Sequence, residues 1–180
     1  IYGTHGLTLT DPDPARCEEL IGMVKDYIDL AVYFGSGITI GSIKGNIEKD
    51  EDRPKYLDNL GKNLQEISKY AVEKKVTVFL EDTNRLENNV LNTGESICQM
   101  IEKYDLNNFK LLLDSFHVNI EENNVGDCIR NTKKYLGYIH FGDNNRWYPG
   151  AGCFRFDEFN QAIKDIGYDG VLSVECFPMP

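Results

Sequence analysis

Four apolar runs each end in a residue able to bind a divalent cation: VTVFLE at Glu81, FKLLLD at Asp114, LGYIH at His140 and GVLSVE at Glu175. Buried strands ordinarily give way to Gly, Pro, Asn or Asp in turns. Three carboxylates and an imidazole at equivalent strand ends therefore point to one convergent site. The set is hard and oxygen-rich, suited to Mn²⁺, Mg²⁺ or Co²⁺ with water positions left open rather than to a thiolate zinc site. A cation held there against a substrate's carbonyl and hydroxyl oxygens is a Lewis acid that stabilises the charge developing when a neighbouring C–H proton is removed. Enolate-type chemistry is expected. A second polar residue follows each of the first three candidates: Asn84, Arg85 and Glu87 after Glu81, His117 after Asp114, and Arg146 after His140. Directed donors and acceptors of this kind could hold the hydroxyls of a polyol. For Arg85 a salt bridge to a nearby acid is an equal reading, and His5 in YGTHG reads as a surface residue. Trp147 and Tyr148 read more readily as packing for their Pro-Gly turn than as a sugar-stacking wall. The Gly-rich polar segment NNRWYPGAGCF has the composition of an active-site loop.

For four strand ends to meet, the strands must be parallel neighbours. The intervals between the candidates are 33, 26 and 35 residues, close to the roughly 30 residues of one βαβ unit. The patterning predicts a helix over 13–35 with Asp13 as N-cap and Pro14 in its first turn, a strand over 37–45 and a helix over 54–74. Strands over 76–81, 109–114, 136–140 and 170–175 then alternate with helices over 93–104, 125–135 and 157–166. An α/β chain of this order is a (β/α)8 TIM barrel, whose catalytic groups gather at the C-terminal ends of the strands. The doubly wound alternative usually carries a G-x-G-x-x-G loop, which this sequence lacks. A complete barrel takes about 250 residues. The chain shows five strands plus a possible stub at Ile1–Gly3, and nothing helical follows the last strand. It is expected to be a single partial TIM-barrel domain over 1–180, incomplete at the N-terminus and lacking the last helix.

Composition narrows the partners. With 29 acidic and 19 basic residues the net charge is -10, which repels a phosphate backbone, and no Lys/Arg stripe offsets it, so no nucleic acid is expected. Five cysteines without a Cys-x-x-Cys pair read as reduced thiols of a cytoplasmic protein. No apolar stretch approaches the ~20 residues that span a bilayer, so no membrane association is expected. A homo-oligomer is compatible with all of this.

The segments LEDTNRLENNVLNT, LLLDSFHVNIEE, IHFGDNNRWYPGAG and GYDGVLSVE resemble those of the xylose isomerase-like barrel superfamily. Within it they are most similar to the sugar isomerase/epimerase branch that includes the D-tagatose and D-psicose 3-epimerases. The likeness covers nearly the whole chain from about Gly6. It implies that Glu81, Asp114, His140 and Glu175 bind one Mn²⁺, Co²⁺ or Mg²⁺. It also implies that Glu81 and Glu175 are the catalytic pair of an isomerase acting on a sugar or sugar phosphate. One would remove the C3 proton of a ketose to give a metal-stabilised cis-enediolate, and the other would return a proton on the opposite face. Glu87, His117 and Arg146 match the positions that hold substrate oxygens. The family's first strands, which shape the pocket around the far end of the sugar, have no counterpart here. Three further readings stay open: an aldose–ketose or hydroxypyruvate isomerase, a polyol dehydratase, and a truncated remnant that binds metal or sugar without turnover. An abasic-site endonuclease, which shares the barrel, needs more His than the three present and the opposite charge.

Overall fold

The computed structural model describes residues 6–177; the stub at Ile1–Gly3 and His5 lie outside them. Five strands form one sheet in the order β1-β2-β3-β4-β5: β1 Ile38–Ile40, β2 Val78–Glu81, β3 Phe109–Asp114, β4 Leu136–Phe141 and β5 Val171–Val174. Every neighbouring pair is parallel. Helices α1 Pro14–Phe34, α2 Arg53–Lys74, α3 Gly94–Lys103, α4 Ser115–Glu121, α5 Val125–Thr132 and α6 Phe156–Asp165 supply the alternation. The result is half of a barrel, with β1 and β5 as its two edges among the described residues.

Local chemistry sets the element ends. Asp13 caps α1 by accepting from Ala15 N at 2.9 Å, Pro14 opens its first turn, and Gly35 closes it with φ 62°. Thr93 and Ser96 form a reciprocal capping box at the start of α3, and Asn124 caps α5. Helix faces carrying Leu20, Val24, Ile28, Leu60, Leu64 and Ile67 close over Val78, Leu80, Leu111, Leu113 and Ile139 on the outer face of the sheet. Burying one such side chain is worth about 2 kcal/mol, so this layer is the rigid frame.

Two expectations need correction. The strand expected over 37–45 is only Ile38–Ile40, and Ser42–Lys44 forms a 3₁₀ turn instead. The turn is held by Leu9 N, which donates to Ile43 O at 2.9 Å, and by Lys44, which turns inward and is fully buried. Helix α4, which follows β3 without a break, is an addition to the expected elements. Asp114 nucleates it by accepting from Phe116 N at 2.9 Å.

Register places the interior face. Phe79 pairs with Lys110, Glu81 with Leu112, Leu112 with Tyr138 and Asp114 with His140. Between β3 and β4 the pairing jumps from Leu111–Leu136 to Leu112–Tyr138, skipping Gly137. A Cβ at Gly137 would overlap the Lys110 side chain. Strand β5 leaves Val171, Leu172 and Val174 at 60%, 48% and 62% exposure, so no described element covers it.

Candidate metal centre and active site

Each candidate ligand comes from the C-terminal end of a different strand: Glu81 closes β2, Asp114 closes β3, His140 is the penultimate residue of β4, and Glu175 directly follows β5. One donor atom from each lies within 4.8 Å of the other three. His140 Nδ1 is central, 2.9 Å from Glu175 Oε2, 3.5 Å from Glu81 Oε1 and 4.0 Å from Asp114 Oδ2. That nitrogen is buried and none of these oxygens gives it a hydrogen bond of acceptable direction. A buried imidazole nitrogen facing three carboxylates without a directed partner, in a hard donor set, fits a divalent cation.

Electrostatics point the same way. Two unit charges 4 Å apart interact by about 4 kcal/mol at an effective dielectric near 20, so three clustered carboxylates demand cations. Arg146 answers two of them: its guanidinium contacts Asp114 Oδ2 and lies 2.8 Å from Glu175 Oε2. Burial by itself would depress the His140 imidazole, but Glu175 and Glu81 beside it carry its pKa up to about 10. The adjoining His140 holds the Glu175 carboxyl down. Burial raises Asp114, against the pull of Arg146. Glu81 stays below the ordinary carboxylate range although burial opposes it, chiefly because the His140 imidazole faces it.

The substrate-binding candidates converge unequally. His117, on α4, is buried; its Nδ1 accepts from Asn84 N at 3.2 Å and from Asn84 Nδ2 at 2.7 Å. The proton of the neutral ring therefore sits on Nε2, and burial keeps the ring neutral by lowering its pKa to about 4. Glu87 is partly exposed, with Oε1 3.9 Å from His117 Nδ1. Arg146 stacks over Phe116, 4.8 Å from the ring centroid, with backbone φ 63°. Asn84 is occupied in orienting His117 and capping Leu86 N. Arg85 points away, to Glu121 at 2.9 Å.

Three supporting residues escaped the sequence reading. Lys44 Nζ donates to Glu81 O and, at 2.9 Å, to Thr83 Oγ1, and burial draws its pKa down to about 8. Asp82 is buried under the site; its Oδ1 accepts from Asp114 N at 3.1 Å, and burial pushes its carboxyl well up. Asp143 gathers the Arg146 loop. Its carboxylate accepts from Asn144 N at 2.8 Å, Gly150 N at 2.8 Å and Phe154 N at 3.0 Å. Asp143→Ala would orphan these donors at about 1–3 kcal/mol for each buried one. The bonds from Asn144 N and Gly150 N are only partly buried and that from Phe154 N is buried, so a total loss of about 2–4 kcal/mol, or roughly 5–15 °C in Tm, is expected by thermal denaturation. Burial opposes the Asp143 carboxylate, but the four backbone donors of Phe154, Asn144, Gly152 and Gly150 lower its pKa. Its stabilisation is therefore complete above the unfolded value near ~4 and is lost as pH falls through the lower folded value.

A family model described as a xylose isomerase-like TIM barrel matches residues 1–180. The chain belongs to this family. Among curated relatives of this xylose isomerase-like barrel, the D-psicose 3-epimerase of Enterocloster bolteae is 39% identical over 99% of the chain and 61% of its own length. The ketose 3-epimerase of Arthrobacter globiformis is 31% identical over 94% of the chain and 59% of its own length. The crystal structure of D-allulose 3-epimerase from Methylomonas sp. in complex with D-allulose superposes with a TM-score of 0.88 at 30% identity, covering 95% of the chain and 60% of that structure. The chain thus spans about three-fifths of the relatives it matches. No helix among the described residues is long and apolar enough to cross a membrane.

Proposed function

We propose that this barrel serves a metal-dependent ketose 3-epimerase, acting through proton removal at C3 and return on the other face. The observation that carries the reading is topological. Glu81 and Glu175 flank Asp114 and His140 on the arc β2-β3-β4-β5, so the two carboxylates approach one centre from its opposite ends. Curated ketose 3-epimerases among the relatives make C3 the reacting carbon. A bound Mn²⁺, Co²⁺ or Mg²⁺, held by Glu81, Asp114, His140 and Glu175, supplies Lewis acidity to the substrate's oxygens.

The residues perform the rest. One carboxylate takes the C3 proton and the electron pair of that bond passes into a cis-enediolate; the other carboxylic acid then gives C3 a proton on the far face. No oxidant or reductant is required. Both carboxyls have lowered pKa values in the resting site, Glu81 chiefly by the charges opposing its burial and Glu175 by His140, as a base needs. The one that returns the proton therefore first takes one from solvent water, and the one that removed the C3 proton releases it to water afterwards. His117 offers Nε2–H to a substrate oxygen. Arg146 offers its guanidinium, and Glu87 accepts from a hydroxyl. Sugars or sugar phosphates are the expected substrates.

The test is exchange in heavy water with Mn²⁺ and a panel of ketoses, followed as loss of the C3–H resonance by NMR. Exchange dependent on added metal is expected for at least one ketose. A folded protein that exchanges none of them ends the assignment and leaves the reading of a binding remnant without turnover.

A further inference from the structure

The turn after β1 embraces Glu81 from two directions. The last paired couple of β1 and β2 is Ile40 with Leu80, so Gly41 stands one step on, opposite Glu81. A Cβ on Gly41 would overlap Glu81 Oε2, the oxygen other than the one facing His140. From the other side, Lys44 Nζ donates to the backbone carbonyl of Glu81 and to Thr83 Oγ1. The turn is itself clamped: Leu9 N donates to Ile43 O, and Gly45, at φ 94°, leaves no room for a Cβ against Thr10.

We propose that the Gly41–Gly45 turn is the positioning element of Glu81, with Gly41 giving the second carboxylate oxygen its place and Lys44 fixing the backbone from which the carboxylate projects. The inference rests on the reading that Glu81 takes part in proton transfer. Its ground is geometric. A carboxylate that both faces a cation and handles a proton must divide the tasks between its oxygens, and rates are sensitive to displacements of about 1 Å. Oε1 faces the ligand cluster, and Oε2 occupies the space that a side chain at Gly41 would fill. Lys44 adds a second argument. It is fully buried and has no carboxylate within salt-bridge distance among the described residues. Burying a charge that way is costly, and an apolar residue of similar volume is often neutral or stabilising in its place. A residue retained for packing alone would not need the charge.

Gly41→Ala is the sharp probe, because the obstructing atom is the mobile end of the Glu81 side chain. Exchange of the ketose C3 proton at saturating substrate is expected to fall at least tenfold. KM at saturating Mn²⁺ should stay within about fivefold because Glu87, His117 and Arg146 are untouched. Mn²⁺ binding, read by isothermal titration, is expected to weaken by no more than the roughly 10–100-fold typical of a disturbed ligand support, so the exchange rates are compared at saturating Mn²⁺. Lys44→Met is the second probe and serves alone if Gly41→Ala does not fold. Its Tm should equal or exceed that of the parent while exchange falls at least tenfold at unchanged KM. Exchange within threefold of the parent in a folded Gly41→Ala, or a Lys44→Met protein that melts lower yet exchanges normally, overturns the inference. A parent protein that exchanges no ketose fails earlier and separately: it removes the proton-transfer role of Glu81 and this inference with it.

Discussion

Glu175→Gln is expected to lower metal-dependent C3–H exchange by about 10³-fold or more, while the melting temperature changes by no more than a few degrees. General acid–base catalysis by a positioned carboxyl contributes about 10²–10⁴-fold, and on the proposed reading the same group would also hold the cation. The amide is nearly isosteric and cannot take a proton at neutral pH. Stability is spared because Glu175 lies past the end of β5 with its side chain 46% exposed, where ion pairs contribute little. Removing it also takes one of two anions from Arg146, so KM for the ketose is expected to move less than kcat. The measurement is exchange NMR beside a thermal melt. Glu175→Gln with near-normal exchange would show that the carboxylate ligates without transferring a proton.

The second large effect is expected for Asp114→Asn, and it separates metal binding from folding. Changing residues that merely support a ligand costs metal affinity about 10–100-fold; replacing the fully buried ligand itself should weaken Mn²⁺ binding by more than 100-fold, read by titration. The fold should survive in part because Asp114 also caps α4, and Asn is as good an N-cap as Asp. His117 would therefore stay in place. Arg146 loses its more buried partner but keeps Glu175, so the roughly 3–5 kcal/mol typical of an orphaned buried ion is an upper bound. Tight Mn²⁺ binding retained by Asp114→Asn would remove Asp114 from the ligand set.

The sequence made the frame legible because parallel strands are short apolar runs separated by a helix-length interval, and the polar residue ending each run stands out. It also indicated Glu87, His117 and Arg146 by their spacing from those ends. The partners that orient them were hidden. Helix α4 is seven residues long, too short for a 3.6-residue period to declare itself. Lys44 sits in GITIGSIKG, where Ile residues suggest a strand and a lysine suggests solvent, yet the chain turns it under Glu81. Asp82 and Asp143 read as ordinary loop acids, since their composition does not tell that Asp82 receives the backbone N–H of Asp114 or that the loop after Asp143 folds the N–H groups of Gly150 and Phe154 back onto it. Burial and long-range pairing decide such roles, and neither is written in a window of ten residues.

The skipped pairing at Gly137 has a consequence for how this chemistry could be lost. Successive residues of a strand face opposite sides. Leu136, ahead of the skip, pairs with Leu111 on the helix side, and His140, after it, pairs with Asp114 on the interior. One surplus residue is all that converts the first parity into the second. Excising Gly137 would leave Tyr138, Ile139 and His140 in their present pairings, but drawing Gly137 into the ladder opposite Leu112 would carry Ile139 into the interior and send His140 out among the helices without changing the identity of any ligand. A chain could thus keep its whole inventory of site side chains and be inert through an error of counting, so a relative with a β4 of this length but no skip in its pairing should be judged by its parity before its motifs.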